Sequence, residues 1–191
     1  MVNFTKSPWE ALDLLKEGNQ KYINAKNTVG DISQLQRENT SDNGQEPYAV
    51  IVTCSDSRVI PEAIFSAGIG DLFVIRVAGN VMDNHQLGSV EYAVEHLGCS
   101  LCVVLGHTHC GAVDAALHHE PEGYIKFITD EIVKAIGDEK DEYKASVLNA
   151  KSSKKTIEES LEIQKDEKEY GLKVVTAMYD IESGKVEFLE E

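Results

Sequence analysis

The sequence predicts an α/β fold in which helices flank a mostly parallel central β-sheet, with an N-terminal helical arm and a C-terminal antiparallel hairpin. Three apolar, β-prone runs at residues 48–53, 72–77 and 101–105 are typical of strands buried on both faces. Helical periodicity between the second and third runs indicates a strand–helix–strand unit, which joins parallel strands. The length of 191 residues fits one domain, 1–191, although two small domains would fit it as well.

The N-terminal arm is predicted to begin with a helix. Ser7 and Glu10 have the spacing of a capping box, and Pro8 between them suits a first helical turn. We expect this helix to continue to about Asn24. Residues 25–46 are polar without a clear period, which predicts a loop or a short arm.

Two further helices are indicated by the spacing of their apolar residues. The first is expected to have Ser89 as its cap and Gly98 as its end. Its apolar face consists of Val90, Ala93, Val94 and Leu97. The second helix has its apolar positions at Ile125, Ile128, Ile132, Val133 and Ile136.

The last third of the chain is more polar. Residues 137–155 are charged and contain serines, which predicts a mobile surface segment. Thr156 with Glu159 is expected to open a charged helix that ends near Tyr170, and we expect this whole region to be a solvated face. Residues 172–189 contain two β-prone runs around a short turn, which predicts the hairpin.

Charge and composition narrow the classes of function. The chain has 18 Lys+Arg against 33 Asp+Glu, a formal net charge of −15, so we expect neither a nucleic-acid nor a membrane partner. No apolar run reaches the roughly 20 residues of a membrane helix. The first residues lack the pattern of a secretory signal, so we expect a cytoplasmic location. In that compartment, disulfides are the less expected use of the four cysteines.

The segments CSDSR (54–58) and GHTHCG (106–111) follow the first and third predicted strands, where ligands bind in open α/β sheets. If those strands are neighbours, Cys54, His107 and Cys110 converge. Two thiolates and one imidazole suit zinc, and three protein ligands leave the open position of a catalytic site. Taken singly, each of these residues would more often be a packing or surface residue.

Asp56 and Arg58 stand two apart in the first of these loops, so their side chains can point the same way. Arg58 could then bind the Asp56 carboxylate bidentately and keep it ionised beside a zinc-bound water. The alternative is a surface ion pair, worth only about 0–1 kcal/mol.

The patterns Cys54-Ser-Asp56-Ser-Arg58 and His107-Thr-His-Cys110 resemble the C-x-D-x-R and H-x-x-C of the β-class carbonic anhydrases. The segments GDLFVIRVAGNV, LGSVEYAVEHLG and VVLGHTHCGAV resemble the same family. The resemblance implies zinc-dependent, reversible hydration of carbon dioxide to bicarbonate and a proton, with a zinc-bound hydroxide as the nucleophile. It also implies Zn²⁺ on Cys54, His107 and Cys110, with catalytic roles for Asp56 and Arg58.

Three more positions match the plant-like, open-site type of the family: Gln45, Phe73 and Tyr92. By this resemblance, Gln45 could donate its amide to a substrate oxygen and Phe73 could form an apolar wall. Without the resemblance, Gln45 would be a polar loop residue and Phe73 a core aromatic residue.

A second type of the family can move its Asp onto the zinc and has a bicarbonate pocket with a Trp three residues before the first Cys. This chain has Ile51 at that position, although Arg76 matches the arginine of that pocket. The missing Trp favours the open form. We therefore expect Asp56 to pair with Arg58 and to ligate zinc only in a closed form at lower pH.

The resemblance also implies a site at an interface between copies of the chain, hence a homodimer or a homotetramer. The N-terminal helix with Trp9 could pack on the neighbouring copy. Two alternatives stay open: hydrolysis of carbon disulfide or carbonyl sulfide on the same scaffold, and a non-catalytic zinc-binding protein. The C-x-x-C formed by Cys99 and Cys102 lies at the start of a predicted strand, which favours buried packing over a metal or redox role.

Overall fold

A five-stranded β-sheet organises the chain, of which the computed structural model describes residues 2–24, 29–119 and 121–189. The strands are β1 (Ala49–Thr53), β2 (Leu72–Arg76), β3 (Leu101–His107), β4 (Lys173–Tyr179) and β5 (Val186–Phe188). Their order is β2-β1-β3-β4-β5; the first four are parallel, and β5 runs antiparallel to β4. The predicted α/β class, the mostly parallel sheet and the C-terminal hairpin are confirmed.

Helices cover both faces of this sheet. They are α1 (Pro8–Asn24), α2 (Gln34–Asn43), α3 (Pro61–Ile64), α4 (Asn84–Leu97), α5 (Gly111–His118), α6 (Ile125–Ile136), α7 (Glu142–Glu158) and α8 (Leu161–Tyr170). The Glu10 N–H donates to the Ser7 hydroxyl over 3.3 Å, and the Ser7 N–H donates to the Glu10 carboxylate over 2.9 Å, which together form the predicted capping box. Among the described residues, no helix is both long and apolar enough to cross a membrane.

The two faces of the sheet carry separate apolar layers. Every residue of β1 and β3 is buried, which explains why their sequences are continuously apolar. Ile51 packs in one layer with Leu15 of α1, whereas Val50 and Val52 pack in the other with Val94 of α4. A third apolar cluster lies beyond the sheet edge and includes residues of α5 and α6.

The helix before β3 begins earlier than predicted. Asp83 is the cap of α4: its carboxylate accepts from the backbone N–H groups of His85 and Gln86. Ser89, the predicted cap, lies inside the helix, and its hydroxyl donates to the His85 carbonyl over 2.8 Å. Gly98 ends the helix in the left-handed conformation, as predicted.

The prediction of a loop or a short arm for residues 25–46 is wrong where α2 forms; residues 25–28 of that range lie outside the described residues. Ser33 caps this helix by accepting from the Gln36 N–H over 3.1 Å, and Gly44 follows its end. All ten residues of α2 are described, and none is buried. A helix without a buried face has no apolar period, so periodicity could not reveal it.

The prediction of a mobile, solvated segment at residues 137–155 is also wrong. This region contains most of α7, which buries a face of mainly small and polar residues: Ala145, Ser146, Asn149, Ala150, Ser153 and Ile157. Thr156 lies inside α7, and the next helix, α8, has Ser160 as its cap. Because the buried face of α7 carries few large apolar side chains, hydrophobic periodicity could not indicate this helix.

Candidate metal centre

Two neighbouring strands bring the predicted ligand loops together. Thr53 at the end of β1 pairs with Leu105 of β3, so Cys54 and His107 emerge at the same edge of the sheet. Cys110 follows three residues after His107 and caps α5. His109 between them has a φ of 55°, a left-handed conformation that tightens the turn between the two predicted ligands.

The structure brings the three predicted ligands, Cys54, His107 and Cys110, into one buried cluster. One candidate ligand atom from each residue lies within 4.8 Å of the other two. The exposed fractions of the three residues are 5%, 1% and 1%. This is the convergence that a single metal ion requires.

The protonation of His107 fits a metal ligand. Its Nδ1 lies 2.9 Å from the Thr108 carbonyl oxygen, which assigns the ring hydrogen to Nδ1. The Nε2 lone pair is therefore free, yet this atom is buried and has no hydrogen-bond partner among the described residues. A buried acceptor beside two thiols is costly to leave unpaired, and a zinc ion would satisfy it.

The two thiols interact directly with each other. Contact with the Cys110 thiol lowers the pKa of Cys54. The same contact with Cys54 raises the pKa of Cys110. Backbone N–H groups also face both sulfurs: those of Asp56 and Gly79 face Cys54, and those of the first turn of α5 face Cys110. These donors favour thiolates, and a divalent cation would favour loss of the second proton.

The Asp56–Arg58 pair has the bidentate geometry that the sequence predicts. Arg58 Nε lies 3.0 Å from Asp56 Oδ1, and Nη2 lies 2.7 Å from Oδ2. These hydrogen bonds hold the pKa of Asp56 at about 2, so the carboxylate is ionised. Both its oxygens face Arg58, and Asp56 does not belong to the ligand cluster. Arg58 Nη2 also donates to the His109 carbonyl over 2.9 Å, which ties the two loops together.

Arg76 binds the backbone of the first loop. Its Nε donates to the Cys54 carbonyl over 3.1 Å and its Nη2 to the Asp56 carbonyl over 2.7 Å. Ile51, at the position of the missing Trp, is fully buried in the core.

The remaining predicted site residues are not brought to the metal cluster within one chain. Phe73 pairs with Val50 in the sheet, four residues before Cys54, which is about 13 Å along the strand. Tyr92 lies beside Phe73, with 6.1 Å between the ring centroids. Gln45 is exposed and precedes β1, so it lies toward the opposite end of that strand from Cys54.

Gly79 is a residue at the site that sequence reasoning missed. Its N–H donates to Cys54 Sγ over 3.2 Å, from a 3-10 turn at Ala78–Asn80. A Cβ at Gly79 would lie only 2.8 Å from Ile132 Cδ1, and its φ of 66° is left-handed. The glycine of the VAGNV segment could have indicated a special backbone conformation. Its contact with Cys54 could not be predicted, because the two residues are far apart in sequence.

Cys99 and Cys102 lie apart from this cluster. Both are fully buried, and the Cys99 thiol donates to the Pro47 carbonyl over 3.3 Å. Burial raises the pKa of Cys99 to about 12. The structure describes all four cysteines, and none of them forms a disulfide. The predicted packing role of this pair agrees with its burial.

The sequence profile of the carbonic anhydrase family matches residues 49–186, a range that includes the whole metal cluster. The fold is similar to that of tetrameric β-carbonic anhydrases from Sordaria macrospora, with a TM-score of 0.71, 26% identity, and coverage of 82% of this chain and 92% of theirs. The chain belongs to the β-carbonic anhydrase family. Another β-carbonic anhydrase, from Aspergillus fumigatus, is similar over 83% of both chains, with a TM-score of 0.73 and 29% identity.

Curated carbonic anhydrases are also similar in sequence. Carbonic anhydrase 2 of Mycobacterium tuberculosis is 42% identical over 135 residues, 68% of this chain. A carbonic anhydrase of Mycolicibacterium smegmatis is 40% identical over 135 residues. The match spans 65% of the length of each of these two mycobacterial relatives.

Proposed function

We propose that this β-carbonic anhydrase binds Zn²⁺ through Cys54, His107 and Cys110 and catalyses the reversible hydration of carbon dioxide to bicarbonate and a proton. The observation that carries the proposal is the buried, unpaired His107 Nε2 in a cluster with two thiols. When bound, zinc would act as a Lewis acid that lowers the pKa of a water molecule and so supplies the nucleophile near neutral pH.

The chain's own residues would orient the reaction. The ionised Asp56, held by Arg58, can accept a hydrogen bond from the reacting water and direct its oxygen toward carbon dioxide. Because Arg58 occupies both oxygens of Asp56, we propose that the open form predominates and that Asp56 becomes a zinc ligand only in a closed form. The apolar cluster around Cys54 and Cys110 would keep bulk water from that side of the centre.

We further propose that Gln45, Phe73 and Tyr92 act on the metal centre of a second copy. They lie too far from Cys54 of their own chain, and β2 is an edge strand with Phe73 only half-buried. Tyr92 is 47% exposed and Trp9 is 64% exposed, so both are available for contact with another copy. The expected assembly is a homodimer or a homotetramer.

We also make proposals on the domain organisation of the chain and on its cellular location. We propose that residues 1–191 form a single domain, which the continuous sheet from β2 to β5 supports. A cytoplasmic location is supported by four unpaired cysteines, because exported proteins more often carry disulfides. Fractionation of cells would test that location.

The experiment that tests the proposed activity combines stopped-flow hydration of carbon dioxide with metal analysis of the same sample. We expect about one zinc per chain in the wild-type protein. Cys54→Ser should remove most of the zinc and the activity, because a metal ligand is lost. Cys102→Ala, which changes a buried cysteine outside the cluster, should retain both. Wild-type protein without zinc, or Cys54→Ser with undiminished hydration, would contradict the proposal. If the protein hydrolyses carbon disulfide and does not hydrate carbon dioxide, the alternative activity replaces the proposed one.

A further inference from the structure

Two side chains of α7 reach the 3-10 turn beside the metal cluster. Asn149 Nδ2 donates to the Gly79 carbonyl over 2.6 Å, and the Ser153 hydroxyl donates to the Asn80 carbonyl over 2.7 Å. Both side chains are buried, with exposed fractions of 2% and 4%. Two short, buried hydrogen bonds to consecutive carbonyls fix the orientation of the backbone that accepts them.

The backbone that they hold is left-handed at two consecutive residues. Gly79 has a φ of 66°, which glycine adopts without strain, and Asn80 has a φ of 45°. In a residue other than glycine, such a conformation persists when the surrounding contacts determine it. The Asn149 side chain donates to the Gly79 carbonyl, and the Gly79 N–H donates to Cys54 Sγ over 3.2 Å. Gly79 therefore links Asn149 to Cys54.

We propose that Asn149 is a positioning residue for the metal centre, which acts through Gly79 on the sulfur of Cys54. The inference deepens the proposed function and rests on it, because it takes Cys54 as a metal ligand. An N–H donated to a thiolate withdraws charge from the sulfur and fixes its direction, as outer hydrogen bonds do at metal sites generally. Asn149 would therefore set both the zinc affinity and the donor strength of Cys54.

A second buried residue of α7 provides a control that distinguishes this role from a general effect on packing. Ser146 lies on the same buried face of α7, with an exposed fraction of 3%, but its hydroxyl has no hydrogen-bond partner within the described part of the chain. Ser146→Ala thus removes a buried polar group from α7 without touching the 3-10 turn. It is a matched control for Asn149→Ala.

The test compares metal binding by the full chain of wild type, Asn149→Ala and Ser146→Ala. Zinc affinity is measured by competition with a chromophoric chelator. The cobalt(II)-substituted proteins are compared by the thiolate-to-cobalt absorption band, which reports on the sulfur ligands themselves. For Asn149→Ala we expect zinc affinity to fall about 10- to 100-fold and the band to shift. Ser146→Ala should match the wild type in both measurements. If circular dichroism shows that the alanine variant is unfolded, Asn149→Ser replaces it, because a serine is too short to reach the Gly79 carbonyl.

The outcomes distinguish failure of the role of Asn149 from failure of the proposed activity. Folded Asn149 variants with wild-type zinc affinity and an unshifted band would overturn the role of Asn149. An equal loss in Ser146→Ala would also overturn it, since packing of α7 would then explain the effect. A wild-type protein that binds zinc but does not hydrate carbon dioxide would contradict the proposed activity and leave the comparison of affinities intact. A wild-type protein that binds neither ion would overturn both proposals.

Discussion

Arg58 lies in the first loop of the candidate metal centre and contacts the second. Its guanidinium binds both oxygens of Asp56 and also the carbonyl of His109, a residue between two of the proposed ligands. These contacts use the planar, forked geometry of arginine, which a lysine ammonium cannot reproduce. The residue thus fixes the direction of the Asp56 carboxylate relative to the His107–Cys110 turn.

This geometry predicts the effect of Arg58→Lys. The variant keeps the positive charge but loses the bidentate contact and the link to His109, so Asp56 should lose its fixed orientation. We expect kcat/KM for hydration to fall about 10- to 100-fold with zinc content unchanged. Stopped-flow kinetics and metal analysis measure the two quantities. Arg37→Lys on the exposed helix α2 is the control and should match the wild type. Full activity in Arg58→Lys would contradict the prediction, because a positive charge would then be enough to orient Asp56.

The proposed ligands and the residues that contact them differ in how well the sequence reveals them. Cys54 and His107 follow or end apolar strands, so strand pattern and spacing place them at one sheet edge. Gly79 donates to Cys54 from 25 residues away, and Asn149 donates to Gly79 from 70 residues away. No local pattern encodes such a contact, because it depends on how α7 packs against the turn.

At the scale of elements, a buried apolar face decides what can be predicted. The strands β1 and β3 are buried throughout, and α6 has strong apolar spacing; all three match their predictions. The helix α2 buries none of its ten residues, and α7 buries mainly small and polar ones. Their helical state therefore comes from caps and tertiary packing, which hydrophobic periodicity does not detect.

The corrected start of α4 leads to a prediction about stability. Asp83 accepts two N–H groups of the first turn, whereas Ser89 donates to a carbonyl inside the helix. Asp83→Ala should lower the free energy of unfolding by about 1 kcal/mol, because two donors lose their acceptor. Ser89→Ala should change it by less than about 0.5 kcal/mol, because alanine favours the helix interior. Urea unfolding of both variants measures these changes. A larger loss for Ser89→Ala would restore the helix start predicted from sequence.

At the scale of the whole molecule, the proposed catalytic residues lie in two groups. Cys54, His107 and Cys110 lie at the carboxyl end of the parallel strands. Gln45 lies toward the other end of β1, and Phe73 is about 13 Å along the sheet from Cys54. If both groups serve one reaction, each active site must combine residues from two copies of the chain.

Mixed dimers give the sharpest test of this arrangement. One chain carries Cys54→Ser and the other carries Gln45→Ala, and dimers that contain both are isolated with two different affinity tags. Each variant alone should have little activity, because every site in its homodimer lacks a required group. In the mixed dimer, the intact Cys54 of one chain faces the intact Gln45 of the other. One of its two sites is then complete, so we expect about half of the wild-type activity per dimer.

The same dimers distinguish the alternative, in which each site uses residues of one chain. Every site would then carry one of the two defects, and the mixed dimer should show no more activity than the average of the two homodimers. Gln45 is exposed, so its replacement should leave folding intact, and circular dichroism can verify this for each preparation. A wild-type protein that sediments as a fully active monomer would contradict the shared site directly, since a lone chain cannot bring Phe73 to its own Cys54.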